Sequence, residues 1–102
     1  MSDVRREIAL QDATADEAFQ AGLRALAAAG FDLWKTRPLG WFAIARRKVG
    51  TSMLEANLSV RKAGETRVSL GLNGDDVDEA VLAGIASDIL RGTEEQLGRG
   101  AS

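Results

Sequence analysis

The sequence predicts an α+β fold: a five-stranded antiparallel sheet in β-α-β-β-β-β-α order, with both helices packed on one face. Three observations predict it. Side chains sort onto two faces at period two through five separate stretches, with apolar and polar residues alternating cleanly in the fourth and fifth, the pattern of strands with one buried face. Two further stretches put apolar residues at i, i+3, i+4 and i+7, one stripe of a helix each. The chain has 102 residues, 45% hydrophobic and 27% charged, which suits one globular core and leaves no room for a second.

The first strand is set by Val4, Arg6, Ile8 and Leu10 alternating with Arg5, Glu7 and Ala9. Thr14 and Glu17 have the spacing of a capping box, in which each side chain satisfies a backbone donor at a helix start. Phe19, Gly22, Leu23, Leu26 and Ala27 form the stripe of that helix, and Gly30 suits a left-handed C-cap. Phe31 and Leu33 then alternate with Asp32 and Trp34 in a second strand. Pro38 cannot donate to a ladder, so Arg37-Pro38-Leu39-Gly40 is expected to turn the chain. In the third strand, from Trp41 to Lys48, Phe42 and Ile44 fall on one face and Trp41, Ala43 and Ala45 on the other. Gly50-Thr51 turns the chain again.

The fourth strand alternates Leu54, Ala56, Leu58 and Val60 with Glu55, Asn57, Ser59 and Arg61. After Ala63-Gly64, the fifth places Val68, Leu70 and Leu72 inside and Arg67, Ser69, Gly71 and Asn73 outside. Such regular alternation means a sheet covered on one side only. Asp75 or Asp76 caps the final helix, whose acidic first turn complements the helix dipole. Val81, Leu82, Ile85, Ala86, Ile89 and Leu90 supply its apolar stripe. Two outcomes fit Gly92: it ends the helix, or it weakens it before Thr93 and Gln96 cap a further turn that ends near Leu97. One domain over 1–97 and a disordered tail over 98–102 are expected. This order of elements resembles that of the TBP-like and helix-grip folds, whose members bind DNA, small apolar ligands or protein partners. The resemblance rests on element order and carries no residue-level assignment.

Several chemistries lack their residues. The chain contains no histidine, cysteine or tyrosine, which removes the usual bases, nucleophiles, phenolic acids and soft metal ligands. Asp88, beside Ile85 and Ile89, is the one acid near a predicted apolar stripe, and its place at the edge suits solvation. The run Asn73-Gly74-Asp75-Asp76-Val77-Asp78-Glu79 looks like a calcium loop, but its glycine comes second rather than sixth. A capped acidic helix start accounts for all of it. No catalytic residue, metal or cofactor is expected, and the protein is read as non-enzymatic. The start of the chain has no apolar stretch behind Arg5 and Arg6, and no apolar run approaches the roughly 20 residues of a membrane helix. The expected setting is cytoplasmic, without membrane attachment.

The two tryptophans carry the leading functional reading. Trp34 is out of phase with Phe31 and Leu33, and Trp41 with Phe42 and Ile44. Both rings are therefore expected on the helix-free face, with Ala43, Ala45 and Met53 extending an apolar patch of the kind that marks an interface. A bulge near Pro38 would turn either ring into the core instead. The expectation is a homodimer or a protein partner held on that face. The alternative, from a different class, is a carrier of a small apolar ligand in a pocket lined by Leu58, Leu70, Val81, Ile85 and Ile89. Charge supplies a third reading. Residues 31–73 carry a net +5 and residues 74–102 a net −5, within a chain of net charge −2. Weak nucleic-acid binding would need a basic stripe beside the tryptophans, and a pI near 5.1 counts against it.

Overall fold

The computed structural model describes residues 2–100, with side chains described over 2–98. The elements are β1 (Ser2–Leu10), α1 (Ala15–Ala28), β2 (Asp32–Arg37), β3 (Phe42–Val49), β4 (Ser52–Ala63), β5 (Glu65–Gly74) and α2 (Glu79–Gly100), with a single 3-10 turn over Pro38–Gly40. The sheet is antiparallel throughout in the order β1-β5-β4-β3-β2. The expected α+β architecture is what the chain adopts. The α2 helix passes Gly92 and continues to Gly100. The last two positions of the expected tail, Ala101 and Ser102, lie outside the described residues.

Local chemistry explains the boundaries. The Glu17 N–H donates to Thr14 Oγ1 at 3.1 Å, and the Thr14 N–H donates to Glu17 Oε1 at 3.0 Å, a complete capping box. At the other end of α1 the Gly30 N–H bonds to the Ala27 carbonyl and the Phe31 N–H to the Leu26 carbonyl, both at 3.0 Å. Those two bonds define a Schellman motif, and Gly30 at φ 87° occupies its left-handed position. Gly50, at φ 62°, is the first residue of the two-residue turn that brings Val49 opposite Ser52.

Because directly paired residues of antiparallel strands point to the same side, the register fixes which side chains face the helices. Val4, Leu72, Ala56 and Ala45 lie in one row across four strands, and Leu70, Leu58 and Ala43 in the next. All seven are buried, together with Phe19 and Leu26 of α1 and Leu82, Ala86 and Ile89 of α2. Both helices thus cover one face, α1 toward β4 and α2 toward β1 and β5. Gly22 lets α1 sit close on the sheet: a Cβ there would lie 2.8 Å from Leu58 Cδ2. Thr66 ties the start of β5 to the entry of α1 by donating to the Ala13 carbonyl at 2.7 Å.

Three expectations about faces need correction. Ala43 and Ala45 are not on the helix-free face; both are fully buried under the helices. Trp41 goes with them. Its indole is half-buried against the core, while its backbone, at φ 48° and ψ 52°, closes the turn after Gly40. Phe42 and Ile44, expected inside, point the other way. The physical reason is register: Ala43 pairs with Leu58 and Ala45 with Ala56, so both share the buried face of β4, and strand parity sends Phe42 and Ile44 to the open side.

Candidate functional site

The helix-free face holds the candidate site, and the register lays out its rows. Across one row run Asp32, Arg46, Glu55, Asn73 and Asp3; across the next, Lys35, Ile44, Asn57, Gly71 and Arg5; across a third, Arg37, Phe42, Ser59, Ser69 and Glu7. The apolar side chains of this surface lie toward β2 and β3, among charged neighbours, and the β1 and β5 end is polar.

At the apolar end, β2 and β3 lose register between Leu33 and Lys35, which leaves Trp34 as the extra residue of a bulge. The bulge delivers the Trp34 indole to the Arg46 guanidinium, whose carbon lies 3.9 Å from the ring centroid. Arg46 also pairs with Glu55 at 3.4 Å. Trp34 is still 58% exposed and Met53 53% exposed, so the stack leaves most of the patch open to solvent. Ile44 and Phe42 continue the patch along β3, each half-buried. Lys35, Arg37 and Lys48 surround it and form no ion pair among the described residues. Leu39, at the tip of the turn beside it, is fully exposed.

At the polar end, Glu7 of β1 is the hub of a network. Its carboxylate accepts from Ser69 Oγ at 2.7 Å and from Arg67 Nη1 at 2.9 Å, and Arg61 Nη2 lies 3.3 Å away. Arg67 turns its other nitrogen to Glu65 at 2.8 Å. The Ser69 hydrogen bond, then that from Arg67, holds the Glu7 carboxyl below its ordinary pKa. The network laces β1, β5 and β4 together across the open face. Beside it Gly71 contributes no side chain, leaving a shallow recess of about 120 Å³ lined by Asp3, Arg5, Asn57 and Asn73.

Of the residues singled out from the sequence, the structure places Trp34 and Met53 on this face and Trp41, Ala43 and Ala45 beneath the helices. The alternative ligand set is divided. Leu58, Leu70 and Ile89 are fully buried in close-packed core, Ile85 is half-buried, and Val81 is 50% exposed beyond it. Sequence reasoning missed Phe42, Ile44 and the three cations around them. The signal that finds them is the two-residue Gly50-Thr51 turn. Counting back across it from β4 sets Ala45 opposite Ala56 and Ala43 opposite Leu58, so Phe42 and Ile44 must face away.

Charge is also sorted between the layers. Ten of the 13 lysines and arginines lie on strands, but only five of the 15 aspartates and glutamates do. The sheet is cationic and the helices and loops are anionic. Among the described residues no group of three or more acidic side chains is placed to hold a metal ion, and no helix is long and apolar enough to cross a membrane. No family model matches the chain, and no curated protein matches it significantly.

Proposed function

We propose that this chain is a non-enzymatic interaction module that takes a protein partner on its helix-free face, centred on Trp34, Phe42, Ile44 and Met53. The observation that carries the reading is an indole left 58% exposed on a sheet face, beside Met53 at 53% exposed and the half-buried Phe42 and Ile44. An aromatic anchor ringed by polar side chains is the composition of a contact surface, with the apolar centre supplying affinity and the rim supplying selection. The rim here is cationic. Two copies meeting patch to patch would set Lys35, Arg37 and Lys48 against their own equivalents, so the charge favours a partner whose apolar contact residues are flanked by carboxylates.

The test is retention of a partner from host-cell extract by the wild type, W34E and the double variant K35E/R37E. The reading requires one protein bound by the wild type and lost from both variants. It also requires that high salt weaken the complex, and that the bound segment be apolar with acidic flanks. Light scattering on the purified chain supplies the opposing result. A dimer dissolved by W34E assigns the face to a second copy instead.

A further inference from the structure

We infer that a second copy of this chain pairs with it along the outer edge of β1, in antiparallel register with Arg5 opposite the partner's Glu7, to form one continuous ten-stranded sheet. The five-stranded sheet has two edges, β1 and β2. The β2 edge is blunted by the means natural sheets use against edge pairing. It is only six residues long, bulged at Trp34, and ends directly before Pro38. The β1 edge has none of these interruptions. Its nine residues pair with β5 without a register shift and contain neither glycine nor proline. Every second backbone N–H and C=O along it points away from β5 and meets no strand among the described residues.

The residues of β1 are complementary to themselves when the strand is reversed. About Arg6 as centre, Arg5 meets Glu7, Val4 meets Ile8, and Asp3 meets Ala9. The two Arg5–Glu7 pairs lie on the helix-free side and the two Val4–Ile8 pairs on the helix side, where Val4 is buried and Ile8 half-buried. Shifting the register by one pair either way sets Arg5 against Arg5 or Glu7 against Glu7, and like charges directly opposite are unfavourable. Glu7 keeps acceptor capacity for a further donor. Two oxygens offer about four lone-pair sites, and three donors already approach them. One unfavourable contact remains: the two Arg6 side chains meet at the two-fold axis, each with its Nη1 turned back onto its own Arg5 carbonyl at 2.9 Å. That repulsion limits the affinity without changing the register.

This contact is independent of the patch proposed above, which lies at the opposite end of the sheet. A two-fold axis normal to the sheet leaves both helix-free faces on the same side, so the pair presents two copies of the patch.

Sedimentation velocity from low micromolar to about millimolar concentration, with amide hydrogen exchange, tests the inference. The wild type is expected to form a dimer in which alternate β1 amides become protected as concentration rises. R5E, which turns both attractive pairs repulsive, is expected to raise the dissociation constant about tenfold. R6T, which removes the repulsion at the axis and adds a residue well suited to a strand, is expected to lower it. W34E is expected to leave the dimer intact. A wild type that stays monomeric throughout, a dimer indifferent to R5E, a dimer weakened by R6T, or β1 amides that exchange equally fast at all concentrations would each overturn it. A dimer lost in W34E and kept in R5E would overturn it while placing self-association on the sheet face.

Discussion

Arg46 stacks its guanidinium on the Trp34 indole with its carbon 3.9 Å from the ring centroid, and the same guanidinium pairs with Glu55 one strand further in. One cation thus pins the extra residue of the bulge and joins β2, the outermost strand, to β4 across β3. Cation–π contacts at exposed sites contribute about 0.5–1 kcal/mol, and exposed ion pairs add little more. R46A is therefore expected to lower the unfolding free energy by about 1 kcal/mol and to make Trp34 fluorescence more accessible to acrylamide. R46K keeps the charge but loses the planar stack, so it should fall between the two. Quenching in R46A equal to that of the wild type would show that the bulge positions the ring without help from Arg46.

The Glu7 network predicts an acid-labile sheet. Hydrogen bonds from Ser69 and Arg67 lower the Glu7 pKa in the folded chain. Its contribution is therefore complete above the unfolded value of about 4.3 and is lost as pH falls through the lower folded value. Urea midpoints of the wild type should decline through that window, and E7Q should show a shallower decline. An acid limb of the same slope in E7Q would mean that Glu7 is held no more tightly folded than unfolded.

The capping box at the start of α1 supports a separate expectation. Removing the Thr14 hydroxyl leaves the Glu17 N–H without its acceptor at 3.1 Å. Losses of this kind cost about 0.5–2 kcal/mol. T14A should sit in that range by chemical denaturation, with T14S close to the wild type. The Glu17 carboxyl, whose pKa is lowered first by the Thr14 backbone N–H, should titrate nearer its ordinary value if the reciprocal bond is broken by fraying.

Much of this architecture is written in local patterns, and the exceptions have particular causes. The alternation in β4 and β5 is clear because their inward residues from 54 to 60 and 68 to 72 are leucine, valine and Ala56, while the outward ones between them are charged, polar or glycine. In β3 the signal inverts: the inward residues are Ala43 and Ala45 and the outward ones Phe42 and Ile44. Residue-by-residue hydrophobicity therefore places the strand the wrong way round. The information was nonetheless present, in the two-residue turn at Gly50-Thr51 that ties the face of β3 to that of β4. The bulge at Trp34 is different. An extra residue in an edge strand follows from its pairing with β3, and nothing in Asp32-Leu33-Trp34-Lys35 announces it. The candidate patch combines both effects, which is why only Trp34 and Met53 of its apolar residues could be placed by counting.

Two helix glycines with opposite surroundings offer a test of how closely α1 rests on the sheet. A methyl group at Gly22 would lie 2.8 Å from Leu58 Cδ2, and Leu58 is itself fully buried, so it can yield only by displacing its neighbours. Overpacking of this kind costs about 1–3 kcal/mol. Exchanging glycine for alanine inside a helix recovers roughly 0.5–1 kcal/mol. The net for G22A is a loss of about 1 kcal/mol. At Gly84 of α2 a methyl group meets nothing within 4 Å, so only the helix term remains and G84A should gain about 0.5–1 kcal/mol. Paired denaturation curves read both changes in the same background. Equal stabilisation by the two substitutions would show that α1 stands further off Leu58 and the sheet than Gly22 implies.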